Sequence, residues 1–188
     1  YNQLYDIWGA DGASVYAVGD GGTVLRYNGS SWSAMDIGTA QTMRGVWGLA
    51  ANDVYVAGSA KVLHYNGSSW SEMTSDSSGG FQDIWCDAAN NIYAVKDTGK
   101  IFHYNGSTWS VATAVTSGGS SVSLSAVWGA GGEVYATGSG NPVVVFRYAS
   151  GSWEAMESGT AKPLNGVHGL NTGDVYATPW EFNHAMDA

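Results

Sequence analysis

The hexapeptide Tyr27-Asn28-Gly29-Ser30-Ser31-Trp32 returns as Tyr65-Asn66-Gly67-Ser68-Ser69-Trp70, as Tyr104-Asn105-Gly106-Ser107-Thr108-Trp109 and, altered, as Tyr148-Ala149-Ser150-Gly151-Ser152-Trp153. The Tyr-to-Trp spacing never changes, and the motif recurs about every 40 residues, the signature of an array of similar small units. Asn-Gly is a strong hairpin signal because both residues tolerate positive φ. The first three copies therefore predict tight hairpins, and Ala149-Ser150-Gly151-Ser152 predicts a turn of different geometry.

Three further landmarks flank each copy. An apolar-x-x-(Ile/Val)-Trp-Gly segment runs over Leu4 to Gly9, Met43 to Gly48, Phe81 to Cys86 and Leu124 to Gly129, and over Leu164 to Gly169 with His168 in place of Trp. A few residues on come Val15-Tyr16-Ala17, Val54-Tyr55-Val56, Ile92-Tyr93-Ala94, Val134-Tyr135-Ala136 and Val175-Tyr176-Ala177. The stretch entering each hairpin is Val24-Leu25-Arg26, Val62-Leu63-His64, Ile101-Phe102-His103 or Val145-Phe146-Arg147. β-Branched and aromatic residues bounded by Gly, Asn and Asp make these short strands, and no segment has the spacing of a long amphipathic helix. Four strands per repeat form a meander with apolar residues on both faces, so each sheet must stack on its copies, and a closed ring hides the ends. The expected fold is all-β: one domain over 1–188, a β-propeller of about five blades with four-stranded antiparallel blades and an incomplete last blade. The repeats fall at approximately 1–40, 41–78, 79–121, 122–161 and a partial 162–188. The tail from Trp180 supplies a third strand of the last blade at most.

Composition narrows the partners. Charged residues make up 12% of the 188 residues, about half the ~25% usual in soluble domains. A net charge of −9 with seven Lys and Arg spread over the chain leaves no basic patch for phosphates, so nucleic acid is not expected. No apolar run approaches the ~20 residues of a membrane-spanning helix, and no membrane insertion is expected. The sequence opens at Tyr1 without a charged-then-apolar leader; the compartment stays open, with a secreted or cell-surface setting favoured by the neutral-polar surface. The lone Cys86 stands where glycine follows Trp in other repeats and reads as a small residue in a packed place. No metal or cofactor is expected.

Together, the Trp-Gly first strand, the Val-Tyr-Ala second strand and the Tyr-Asn-Gly-Ser-x-Trp hairpin resemble the repeats of bacterial β-propeller proteins. They are similar in particular to propeller lectins of the tachylectin and fucose-binding kind, whose blades carry a Gly-Ser-x-Trp hairpin. The resemblance covers nearly the whole chain and implies sugar sites between adjacent blades against aromatic side chains, up to one per blade.

Two rows of side chains are candidate contacts. Trp32, Trp70, Trp109 and Trp153 either cover the next blade or offer a face to a sugar ring. Arg26, His64, His103 and Arg147 occupy one equivalent position, on the opposite strand face from the following Tyr; they can bond sugar hydroxyls or carbonyls of a neighbouring blade. No nucleophile elbow, Ser-His-Asp arrangement, paired-carboxylate motif or phosphate-binding loop stands out, so no catalytic residue is assigned and the protein is not expected to be an enzyme. The leading expectation is a non-catalytic, lectin-like carbohydrate-binding module with repeated sites between blades. A protein-interaction scaffold using the variable loops Thr74 to Gly80, Thr113 to Val122 and Gly138 to Val143 is the alternative, and a hydrolase with residues at the central channel mouth is third. The incomplete last blade offers a route to self-association.

Overall fold

A computed structural model describes residues 2–117 and 120–179. The four landmarks of each repeat become the four strands of one antiparallel sheet in simple up-and-down order. Blade 1 comprises Leu4–Asp11, Ser14–Gly19, Val24–Tyr27 and Trp32–Met35; blade 2, Gly45–Ala50, Asp53–Gly58, Lys61–Tyr65 and Trp70–Ser75. Blade 3 comprises Phe81–Ala88, Asn91–Lys96, Lys100–Tyr104 and Trp109–Ala114; blade 4, Ser123–Ala130, Glu133–Ser139, Val144–Ala149 and Ser152–Glu157. Blade 5 shows two strands, Leu164–Asn171 and Asp174–Pro179; the expected third strand from Trp180 lies outside the described residues. A short ladder of Thr116–Ser117 with Ser120–Ser121 sits in the link between blades 3 and 4.

Register aligns the motif residues across each blade. Trp8 pairs with Tyr16 and Tyr16 with Arg26, and the same Trp–Tyr–Arg/His row runs through Trp47, Tyr55 and His64, through Trp85, Tyr93 and His103, and through Trp128, Tyr135 and Arg147. Directly opposed residues share a sheet face, so every blade has one face led by its Trp and Tyr and another built from the alternating aliphatics with the hairpin Tyr and Trp. The first face of each blade packs on the second face of the next. Tyr16, Val18 and Val24 meet Val46, Val54, Val56, Leu63 and Tyr65 between blades 1 and 2, and Trp85, Tyr93 and Val95 meet Val127, Val134, Ala136 and Phe146 between blades 3 and 4.

The glycine after each Trp exists for this stacking. A Cβ on Gly48 would lie 2.5 Å from the Trp8 ring, one on Gly129 2.7 Å from Trp85, and one on Gly169 2.8 Å from Trp128. The outer carbons of the Trp8, Trp85 and Trp128 indoles, Cη2 and Cζ3, thus rest on the glycine of the following blade. Cys86 replaces the glycine in blade 3, and there the Trp47 indole N–H donates to the Cys86 carbonyl at 2.9 Å. The Cys86 thiol is buried, and burial pushes its pKa up.

The hairpins depart from the expected turn. Gly29, Gly67 and Gly106 have φ of +91° to +93°, but their preceding asparagines do not adopt positive φ. Each Asn instead turns its side-chain oxygen inward to accept two backbone N–H groups, as Asn28 does from Ser30 and Ser31 at 3.0 Å. The loop has room for four residues, so the side chain closes the turn and the type I′ geometry is not needed. In blade 4, where Ala149 lacks that oxygen, the turn tightens to Ser150 and Gly151, both at positive φ.

The first strands of consecutive blades lie side by side around a common axis, and among the described residues the first strands of blades 5 and 1 do not reach the closeness of those four junctions. Residues of all five first strands line one central chamber, as a five-bladed propeller with an incomplete last blade requires.

Candidate functional site

Alternating strand direction sorts the loops into two faces. Every link from first to second strand and from third to fourth lies on one face, here the exit face; every link from second to third strand and from one blade to the next lies on the other, the entry face. The first-to-second links all contain two residues, and the hairpins are nearly uniform. The entry face carries all of Thr74 to Gly80, Gly138 to Val143 and the described part of Thr113 to Val122, whose lengths change from blade to blade.

The first strands begin at the entry face, and the residue after each opening apolar residue (Leu4, Met43, Phe81, Leu124, Leu164) differs in every blade: Tyr5, Arg44, Gln82, Ser125 and Asn165. Local structure explains this freedom. In blades 1, 3, 4 and 5 the ladder skips this residue, pairing Leu4 with Gly19 and then Asp6 with Val18, for example, so Tyr5 is the extra residue of a β-bulge; Arg44 lies just ahead of its strand. A bulged residue has no cross-strand partner and its side chain is re-aimed. All five converge with Asp6 and Asp83 on a cavity of about 230 Å³ at the channel mouth. Arg44 places its guanidinium 4.8 Å from the centre of the Tyr5 ring, a cation–π contact, and Tyr5 is held by a 3.0 Å bond to Asp20. Arg44 forms no ion pair among the described residues.

Below the mouth, a chamber of about 410 Å³ is lined by Asp6, Trp8, Trp47, Asp83, Trp128 and His168. Asp6 accepts the N–H of Ile7 and, across the junction, of Val46, both at 2.8 Å. Asp83 does the same with Ile84 and Val127, both at 2.8 Å. Each carboxylate therefore staples its own first strand to the next. Burial raises the pKa of both; for Asp83, pushed up the more, the charge of Asp6 adds to burial, and the N–H bonds oppose the shift. Gly45 intervenes, where a Cβ would fall 2.7 Å from the Asp83 backbone. Asp83→Ala orphans two N–H groups and is expected to cost about 1–3 kcal/mol, read as a shift in the urea midpoint; an unchanged midpoint would show the staple to be idle.

The Arg/His row lies away from this mouth, each member partnered by the residue opening the second strand of its own blade or its Tyr. His64 Nε2 is 2.8 Å from Asp53 and its ring stacks on Tyr55 at 4.5 Å. His103 Nε2 is 2.8 Å from Asn91 and its ring stacks on Tyr93 at 4.5 Å, and burial lowers its pKa. Arg147 forms a two-point ion pair with Glu133, which also accepts from Tyr135. Blade 1 has Ser14 at the matching place, and Arg26 lies over the Tyr16 ring with its Nε buried and unbonded.

The hairpin tryptophans each lean on the Tyr of their own motif, with ring centres 5.2 to 5.5 Å apart. Trp32 is 46% exposed, whereas Trp70, Trp109 and Trp153 are half-buried. Trp70 lines a groove of about 590 Å³ with Met35 and Ile37 of blade 1, and Trp153 one of about 400 Å³ with Tyr93 and His103 of blade 3. The two candidate rows meet in the groove between blades 3 and 4, where His103 and Trp153 line the same wall. Sequence reasoning missed the mouth residues; their signal is their failure to repeat at a position just after a recurring apolar residue and two before the recurring Ile/Val.

Stacked four-stranded meanders around a lined axis define a β-propeller. Among solved structures the chain is similar to YCF48 from Cyanidioschyzon merolae (18% identity, TM-score 0.70, 95% of this chain and 64% of that one) and to a structure of YCF48 bound to D1 peptide (17%, 0.67, 95% and 60%). It is also similar to the extracellular domain of the one-component system BT4673 from B. thetaiotaomicron (16%, 0.72, 93% and 25%). The chain spans about 60% of the YCF48 chains it matches. No protein-family profile and no curated protein matches the sequence.

Proposed function

We propose that the protein is a non-catalytic binding propeller whose entry face takes an extended polypeptide segment and anchors it at the channel mouth. The observation carrying this reading is that blade-to-blade variation is gathered on one face, in the loops and in Tyr5, Arg44, Gln82, Ser125 and Asn165. Variation on an otherwise repeated frame is where partner specificity is placed. The guanidinium of Arg44, which has no ion pair among the described residues, suits a carbonyl or carboxylate of the ligand, and Gln82, Ser125 and Asn165 suit the alternating donors and acceptors of a peptide backbone. One propeller of similar fold has been seen with a peptide bound, in keeping with this class of partner. Catalysis is not assigned to Asp6 and Asp83, because both oxygens of each already accept backbone N–H groups.

A carbohydrate reading rests on the grooves at Trp70 and Trp153, where an aromatic face meets polar groups. One experiment separates the two. A peptide selected from a random decapeptide library on the immobilised protein is expected to lose about tenfold or more in affinity, ~1.4 kcal/mol, with Arg44→Ala plus Gln82→Ala, and little with Trp70→Ala plus Trp153→Ala. Loss confined to the tryptophan variant, or binding to a glycan array with no peptide selected, would overturn the polypeptide reading.

A further inference from the structure

Arg26, His64, His103 and Arg147 are one position met four times, and three of them have an acceptor built for them on the adjacent strand: Asp53 for His64, Asn91 for His103 and Glu133 for Arg147. Blade 1 breaks the pattern. Ser14 takes the register place of that acceptor, and Arg26 forms no ion pair among the described residues. Its Nε is buried without a hydrogen-bond partner, whereas the same atom of Arg147 donates to Glu133 at 2.9 Å. A buried donor without an acceptor is uncommon in a folded protein and calls for an explanation.

The two arginines of the row differ in what flanks them on the sheet. Arg147 is opposed by Glu154 on one side and lies diagonally from Glu133 on the other; Arg26 is opposed by Ser33 and lies diagonally from Ser14. Directly opposed residues share a sheet face, as do residues two apart on one strand. Blade 4 therefore sets its guanidinium between two carboxylates, and blade 1 sets its own between two hydroxyls. A hydroxyl leaves the arginine's charge unanswered, yet it can donate to the same anion that the arginine holds. The phenols differ as well: Tyr135 donates to Glu133, whereas Tyr16 donates across the junction to the Ala51 carbonyl of blade 2 at 2.6 Å. Arg26 thus stands on the face of blade 1 that packs on blade 2, half-exposed near the exit face, between two small donors.

We propose that Arg26 binds a carboxylate brought by a ligand, held at two points by the guanidinium as Glu133 is held by Arg147, with the Ser14 and Ser33 hydroxyls donating to it. A guanidinium–carboxylate pair of this kind is planar and directional, and two serines take up less of the space beside the guanidinium than two glutamates do. Arg26 is a long, half-exposed side chain whose guanidinium carbon lies 5.6 Å from the centre of the Tyr16 ring, so turning its Nε edge outward presents the buried donor to the ligand. The carboxylate belongs to a free small acid or to an acidic side chain of a polypeptide. The site lies away from the channel mouth and does not depend on the entry-face reading.

Magnetic resonance of the arginine side chains tests this on the wild-type protein. The chain has three arginines, Arg26, Arg44 and Arg147, hence three Nε–H signals, and Arg26→Lys removes and so assigns one of them. Sodium acetate and the end-blocked tripeptide Gly-Glu-Gly are titrated in turn at mildly acidic pH and constant ionic strength, with sodium chloride as control. The Arg26 signal is expected to move to a plateau with at least one probe and to stay in place with chloride, while Arg147, already held by Glu133, does not respond; movement of the Arg44 signal reports the entry face separately. A lower midpoint with acetate assigns a free acid as the source, a lower one with the tripeptide an acidic side chain, and equal midpoints make the carboxylate the whole determinant. Ser14→Glu, which supplies a carboxylate from within the blade, is expected to hold the signal at the plateau position before any probe is added. An Arg26 signal that never moves, that follows chloride equally or that reaches no plateau overturns the proposal, as does a folded Ser14→Glu variant that responds as wild type does.

Discussion

Trp85→Ala is expected to lower the unfolding free energy by about 3–5 kcal/mol, or about 2–4 °C of melting midpoint per kcal/mol in a chain of this length. Trp85 is buried at the junction of blades 3 and 4, with its ring on Gly129 and tilted against Tyr93 at 6.4 Å between ring centres. Truncation removes the indole from both contacts at once and leaves a cavity that backbone on either side cannot fill. The reciprocal change is informative. A Cβ on Gly129 would stand 2.7 Å from Trp85 and 2.6 Å from the Glu133 carbonyl, so Gly129→Ala forces the two blades apart and is expected to cost about 1–3 kcal/mol. Gly9→Ala, at the same position of blade 1 but with no indole above it, is expected to cost less. Urea unfolding followed by tryptophan fluorescence reads all three. Equal losses at Gly9 and Gly129 would show that the glycine serves its own turn and not the neighbouring blade.

Asp76→Ala is expected to destabilise by about 3–5 kcal/mol, because it leaves a buried ammonium without its counter-charge. Lys96 is 0% exposed; its Nζ lies 3.2 Å from the Asp76 carboxylate, 2.8 Å from the Asp76 carbonyl and 4.5 Å from the centre of the Phe81 ring. Lys96 occupies the place of Gly19, Gly58 and Gly138 in the other blades, reaching back to tie blade 3 to the end of blade 2. Lys96→Met removes the charge together with its need for a partner; the double variant is expected to recover part of what Asp76→Ala loses. The ion pair also sets a pH window. The Ser78 backbone N–H and hydroxyl, followed by Lys96, hold the Asp76 pKa down, from 3.8 to about 2. A folded-state pKa below the unfolded one means that this contribution is complete above about pH 4 and is lost as pH falls towards 2. Unfolding midpoints measured from neutral pH to pH 2.5 should therefore fall more steeply for wild type than for Asp76→Ala; parallel curves would separate the carboxylate from stability.

Much of the blade was legible in the chain. Tyr27 to Trp32 and its copies gave strand, turn and strand by spacing alone, and apolar residues on both faces gave the stacking of sheet on sheet, but the seat of the Trp ring on the following blade's glycine came only with the structure. The turn type was misjudged because Asn-Gly satisfies two geometries, and only loop length decides whether the Asn backbone or its side chain closes the turn. The Arg26, His64, His103 and Arg147 row was visible as a row, but its partners Asp53, Asn91 and Glu133 lie on the adjacent strand and vary with it. The mouth was the least legible part. Tyr5, Arg44, Gln82, Ser125 and Asn165 differ in kind and are separated by about 40 residues each, so no local pattern links them.

The sequence by itself determined what a blade is: four short strands of alternating face, hairpins at fixed spacing, and a first-strand indole in each of the first four repeats. Those properties are local, set by side-chain period and turn chemistry within a single repeat. Tertiary structure alone decided where five non-repeating side chains converge, which carboxylates staple adjacent blades, and that the rings of Trp8, Trp85 and Trp128 are seated on the glycine of the next blade. Convergence depends on the angle at which successive sheets stack, a sum over every junction that no single repeat encodes.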